Sequence, residues 1–436
     1  MVRPNWKQRS PVGSNSAQKG NSMFSHSRRI GLIMALTIIA STACFGQAPA
    51  VDALAKVQQR LASGEPTKIV CFGDSITGVY YHTGSKRAWC AMLGLMLQQA
   101  YPDANLQMIN AGVSGHTTEH AQARIEWDVV AKKPDLVVIA FGMNDVTRFT
   151  TDEFETKLRE IIQRCQATGA AVVLCTPNAV LFTERRPEEK LIRFVETVRK
   201  VGADLHLPVA DIFADWKASR SQDLFAWKLM MSDELHPNMN GHVRFAELIG
   251  SSVAGRTLTF DETPAPIETL QVTLDRLARG VPVKVVAPAP YDNIFPAQLK
   301  KLYPNAQLEI VSWPAEEQTI TDAVNWAKQV RGLKPQLVIA PLPPKAFSAS
   351  KEEFANQYEW MLKYCMPFGL GTKWDVVPVL PLDGDLSAAE QEYVDVAALI
   401  VPGKDLRFIQ RNDGDERSPN EIVAAWIAEQ KERYEN

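Results

Sequence analysis

The chain has 436 residues, 46% hydrophobic and 22% charged, an ordinary globular balance with apolar material for more than one packed core. A formal net charge of -3 supplies no basic stripe for a polyanion, so no nucleic-acid partner is expected. None of the six cysteines stands at zinc-ligand spacing, and Cys71, Cys90, Cys165 and Cys175, in predicted strands and helices, read as buried free thiols.

Residues 1–22 are polar and basic, and Met23 is a second candidate start. Ser25-His26-Ser27-Arg28-Arg29 leads into an apolar run from Ile30 to Ala40, and the small residues Ser41, Thr42 and Ala43 follow. That order predicts a secretory signal peptide, its core shorter than the ~20 residues a bilayer span needs. An exported, periplasmic or extracellular protein is expected, with no transmembrane segment in the mature chain; an uncleaved N-terminal anchor is the alternative. Cys44 follows Ser41-Thr42-Ala43 as at a lipoprotein cleavage site, but the expected leucine three residues before it is missing.

After the leader, strands and helices alternate. Lys68–Phe72 is a short apolar run ending at Gly73, and a helical pattern spans about 88–100. Leu106–Ile109 predicts a second strand, followed by Asn110-Ala111-Gly112, and 117–130 a helix with Glu119 in its first turn. Leu136–Ala140 is a third strand, 152–167 a helix stopped by Gly169, and Ala170–Cys175 a fourth strand. A helix over 188–201 and a short strand at 207–209 complete the series. Strands without polar alternation, separated by helices, predict a parallel sheet covered on both faces, with ligands at the strands' carboxyl ends.

The second half repeats the first in order and spacing. Lys68-Ile69-Val70 pairs with Lys284-Val285-Val286, Tyr101-Pro102 with Tyr303-Pro304, and Lys133-Pro134-Asp135-Leu136-Val137 with Lys334-Pro335-Gln336-Leu337-Val338. Glu153-Phe154 pairs with Glu353-Phe354, and Asp233 to Asn238 with Asp415 to Asn420. The chain is read as a leader over 1–50, a first α/β domain over 51–256, a linker over 257–267 and a second, similar α/β domain over 268–436.

Four segments carry the chemistry. Gly73-Asp74-Ser75-Ile76-Thr77 follows the first strand, Asn110-Ala111-Gly112-Val113-Ser114-Gly115 the second and Gly142-Met143-Asn144-Asp145 the third; Asp233-Glu234-Leu235-His236-Pro237 comes late, before a helix. A serine in a tight turn at a strand's end can present its hydroxyl above the sheet and its own N–H to an oxyanion. Singly, each segment is a common turn or cap; together and in this order the four are specific.

Over residues 66–250 the sequence resembles the SGNH (GDSL-type) hydrolases, named for a Ser, Gly, Asn and His in four such blocks, here Ser75, Gly112, Asn144 and His236. The resemblance implies a three-layer, flavodoxin-like parallel α/β fold and a serine esterase without cofactor or metal. It assigns Ser75 as nucleophile, His236 as base and Asp233 as the base's partner. The oxyanion hole falls to the Ser75 N–H, the Gly112 N–H and the Asn144 amide. Tyr80 and His116 are candidates to line the substrate cleft.

Small acyl esters, acetyl groups on carbohydrate above all, are the expected substrates. A lipid or thioester hydrolase and a noncatalytic extracellular binding protein are the alternatives. His116-Thr117-Thr118-Glu119-His120 also reads H-x-x-E-H, a zinc-peptidase pattern, but no third ligand is marked out. In the second domain Ser75 aligns with Tyr291, Gly112 with Pro314 and His236 with Ser418, leaving only the aspartate as Asp415. That domain is expected to be noncatalytic and to serve packing first, with covering the first domain's cleft or binding substrate such as a glycan as the alternatives.

Overall fold

The computed structural model describes residues 50–314, 318–369, 371, 373–382 and 386–435; the leader and Cys44 lie outside them. The first sheet is built from β1 (Pro66–Gly73), β2 (Asn105–Gly112), β3 (Leu136–Ala140), β4 (Ala171–Cys175) and β5 (Val209–Ala210), all parallel, in the order β2-β1-β3-β4-β5. Ile69 to Phe72, Leu136 to Ile139 and all of β4 are buried on both faces, which is why these strands read as unbroken apolar runs. The covering helices show the matching stripe. Helix Thr151–Gln166 buries Phe154, Leu158, Ile161, Ile162 and Cys165, and starts on a capping box between Thr150 and Glu153.

Register decides where the chemistry can sit. Gly73 of β1 pairs with Gly112 of β2 on one side and with Ala140 of β3 on the other. Three of the four motif segments therefore leave the sheet along one carboxyl edge, where the strand order reverses.

A second parallel sheet holds β6 (Val283–Pro288), β7 (Leu308–Trp313), β8 (Leu337–Pro341) and β9 (Asp375–Val379), in the order β7-β6-β8-β9. Local details recur between the sheets. Lys68 N–H donates to the Asp135 carboxylate at 2.7 Å, and Lys284 N–H to the Gln336 side-chain oxygen at 2.8 Å. Lys133 and Lys334, each just before a Pro, take φ of 51° and 50°. Trp313 stacks on Trp326 at 4.4 Å inside the second core rather than on an open face.

Two of the expected strands end elsewhere. β2 runs on through Asn110-Ala111-Gly112 instead of ending before it, because the ladder to β1 continues to Gly73. β5 is only two residues long. Residues 257–267 contain no helix or strand and are pinned to both neighbours: Phe260 N–H donates to Glu247 and Ile267 N–H to Asp405. Cys71, Cys90, Cys165, Cys175 and Cys365 are free and buried. Among the described residues, no helix is long and apolar enough to cross a membrane.

Candidate active site

Asp74 shapes the turn after β1: its carbonyl accepts from Gly78 N–H at 3.0 Å and its carboxylate from Ile76 N–H at 2.9 Å. Burial, only partly offset by that bond and the nearby His236, pushes the Asp74 pKa up to about 6. The turn points Ser75 Oγ at His236 Nε2, 2.9 Å away. His236 Nδ1 lies 2.9 Å from Asp233 Oδ1 and 3.1 Å from Oδ2. The three-residue spacing works because Asp233 organises its own loop, its Oδ1 also accepting the backbone N–H groups of Leu235 and His236 at 2.9 and 2.8 Å. A carboxylate on Nδ1–H leaves Nε2 as an acceptor for the serine proton. The structure thus brings Ser75, His236 and Asp233 into one hydrogen-bonded line.

Asn144 stands after β3, its Nδ2 donating to the His116 carbonyl at 3.0 Å and lying 3.5 Å from Asp74 Oδ2. Its Oδ1 accepts from Arg186 Nη2 at 3.1 Å, while Arg186 Nε holds the Met143 carbonyl at 2.8 Å. Gly112 N–H donates to the Asn110 side-chain oxygen at 2.9 Å, so in this state that donor is engaged. Glycine is required there for another reason too: a Cβ would lie 2.1 Å from Gly78 N and 2.5 Å from Thr77 C. Asp145, fully buried, accepts from Thr118 N–H and hydroxyl and from Gly142 N–H, tying the second and third segments together.

Tyr80 hydroxyl accepts from Ser114 N–H at 2.9 Å, and its backbone bridges to Gly369 of the second unit. Its ring, with that of Tyr81, faces Phe368, which is 58% exposed. His116 stacks on His120 at 4.7 Å, and burial lowers its pKa. The H-x-x-E-H pattern has a local use instead: His120 Nδ1 closes a capping box with Thr117, and Glu119 turns to Lys157 at 3.7 Å. Among the described residues, the one set of three candidate ligand groups close enough for a metal is His82, Asp233 and His236, the last two already hydrogen-bonded to each other.

The first of these, His82, lies in none of the four sequence segments. Its ring stacks on His236 at 3.7 Å and 11°, and burial drives its pKa down to about 3, so it is a neutral plate against the base. Two further groups come from the second unit. Lys363, on helix Lys351–Cys365, donates to Asp233 Oδ2 at 3.0 Å and to the Ser232 carbonyl at 3.0 Å. Lys404 donates to Ser232 Oγ at 2.6 Å and pairs with Glu359. Burial alone would raise the Asp233 pKa, but His236, His82 and the Lys363 ammonium hold it well below the usual carboxylate range. Glu359 and Lys363, four apart on a helix, look in the sequence like an exposed ion pair; in the fold both are buried and each turns to another partner.

A parallel α/β sheet with a strand-end serine, an imidazole and a carboxylate in line defines a serine hydrolase, here one acting on carboxylic esters. Residues 71–244 match the GDSL-like Lipase/Acylhydrolase family. It is 28% identical over 215 residues to an acetylxylan esterase of Geobacillus stearothermophilus, covering 43% of this chain and 93% of that protein. A thioesterase 1/protease 1/lysophospholipase L1 of Escherichia coli is 26% identical over 180 residues, covering 41% and 79%. Among solved structures, an acetylxylan esterase from Geobacillus stearothermophilus is 26% identical, covers 45% of this chain and 97% of that one, and gives a TM-score of 0.39.

Proposed function

We propose that the protein is an exported esterase that removes small acyl groups, acetyl above all, from carbohydrate through an acyl-serine intermediate. The observation that carries the mechanism is the unbroken line from Ser75 Oγ to His236 to Asp233, each step 2.9 Å. His236 takes the hydroxyl proton as Oγ attacks the ester carbonyl, and Asp233 stabilises the imidazolium. The imidazolium then returns the proton to the departing sugar oxygen. Water, deprotonated by the same imidazole, cleaves the acyl-serine and releases the acid.

The oxyanion is received by the Ser75 N–H and the Asn144 amide, with the Gly112 N–H joining if it turns from Asn110. Each such donor contributes about 3–4 kcal/mol to the barrier reduction. Export rests on the charged-apolar-small order of residues 25–43. The acetyl-carbohydrate assignment is favoured by the acetylxylan esterase likeness. We read the second unit as a degenerate, noncatalytic copy of the first, on the shared strand order and the loss of serine and histidine.

The test is ester hydrolysis by wild type and Ser75→Ala, with p-nitrophenyl acetate first and acetylated xylan fragments next. Activity is expected to resist chelators and to fall by on the order of 10^4 or more in Ser75→Ala. Undiminished turnover in that variant would end the reading. The likeness to a thioesterase and lysophospholipase favours a second reading, long-chain acyl substrates, which a rate rising from acetate to palmitate ester would establish.

A further inference from the structure

We propose that Lys363, carried by the second α/β unit, is a positioning residue for the Asp233–His236 pair and sets where activity is lost at acid pH. The proposal rests on the triad reading above. Lys363 is 1% exposed, and its ammonium sits between two oxygens of the other unit's catalytic loop, Asp233 Oδ2 and the Ser232 carbonyl. The two carboxylate oxygens divide the work. Oδ1 takes the shorter imidazole contact and two backbone N–H groups, and Oδ2 takes the lysine.

A buried ammonium costs several kcal/mol unless paired, and a methionine would pack the same volume without that cost. Its ring contacts, 3.8 Å over Trp360 and 5.1 Å over Tyr81, compensate part of the lost hydration and hold it in one place. Two consequences follow from the geometry. The lysine fixes the carboxylate rotamer that faces His236. It also draws off part of the negative potential that would otherwise stabilise the imidazolium.

Other titratable groups surround the pair. His82 and His242 are held neutral by burial, each with its pKa lowered to about 3. Lys404 is paired with Glu359, and Asp74 and Tyr81 stand on the first unit's loop with raised pKa values. Lys363 also helps to hold the His82 and Lys404 pKa values down, so Lys363→Arg, which keeps the charge, is the control that separates the charge from these neighbours.

The experiment is kcat/KM for p-nitrophenyl acetate against pH for the full chain, Lys363→Gln, Lys363→Met and Lys363→Arg, with folding checked by thermal melting. In the Gln and Met variants the acid limb is expected to move up by about one pH unit, the lower end of what one neighbouring charge does. Lys363→Arg keeps the charge and is expected to keep the wild-type limb. A folded Gln or Met variant whose limb coincides with wild type overturns the proposal, as does an Arg variant displaced as far as Gln. Should Met fail to fold, Gln, which retains N–H donors for both acceptors, carries the test. Ser75→Ala keeps the two readings apart: if it remains active the triad falls, whereas an inactive Ser75→Ala beside an unmoved limb removes only the role of Lys363.

Discussion

An amide that is to donate to a developing oxyanion must present its nitrogen, and at residue 144 Arg186 decides the matter. Its guanidinium takes the amide oxygen and the neighbouring Met143 carbonyl, leaving Nδ2 turned toward Asp74 and the His116 carbonyl. As a proposed oxyanion donor, Asn144 is expected on replacement by Ala to lower kcat by about 10^2–10^3 with KM little changed. Arg186→Met, which frees the amide to flip, lowers it on the order of tenfold. Steady-state kinetics on both variants checks this, and wild-type kcat in Arg186→Met would remove the arginine from the account. The proposed site residues Ser75, Asn144, Asp233 and His236 stand out in the sequence because each belongs to a segment with its own turn chemistry. Arg186 does not, since an arginine in a loop between a strand and a helix looks the same whether it holds an amide or faces water.

At the scale of elements, the edge strand β2 shows what an apolar pattern conceals. Its residues are mostly exposed or half-buried, so the hydrophobic signal fades before the ladder ends and the strand was read as stopping at Ile109. The buried strands β1, β3 and β4 had no such ambiguity. The hidden extension matters because it brings Gly112 hard against the backbone of Thr77 and Gly78, beside the serine turn. Backbone cannot rotate aside as a side chain can. Gly112→Ala must therefore part β2 from that turn, at a cost of about 1–3 kcal/mol, and should impair catalysis as well. Thermal melting and kcat measured together decide it: unchanged stability with an added methyl would mean that the close approach is not tight in solution.

For the whole molecule, a second parallel sheet was legible in the sequence but the docking of the two halves was not. Besides apolar contacts such as Phe225 and Leu229 on the second core, the halves meet through charged and small residues, which a sequence pattern assigns to solvent. Gly84, at φ 78°, lies so close to the second unit that a Cβ would stand 1.9 Å from the Lys404 carbonyl. Next to it Arg87 grips Asp405 with two nitrogens at 2.9 and 2.6 Å and also holds the Ala265 carbonyl of the connecting segment. The Asp405 side chain is fully buried. Packing was the expected role of the second unit, yet its Lys363 reaches the acid of the triad, so losing this junction should cost activity as well as stability. Removing one partner of a buried pair strands the other's charge, so Arg87→Met is expected to lose about 3–5 kcal/mol. Adding Asp405→Asn, which removes the stranded charge and suits the left-handed backbone at φ 52°, should restore part of it. Denaturant melts of wild type, single and double variants test this, and the wild type should unfold in one transition. Two separate transitions, or an Arg87→Met variant as stable as wild type, would show that the halves fold independently and that the catalytic loop does not depend on their union.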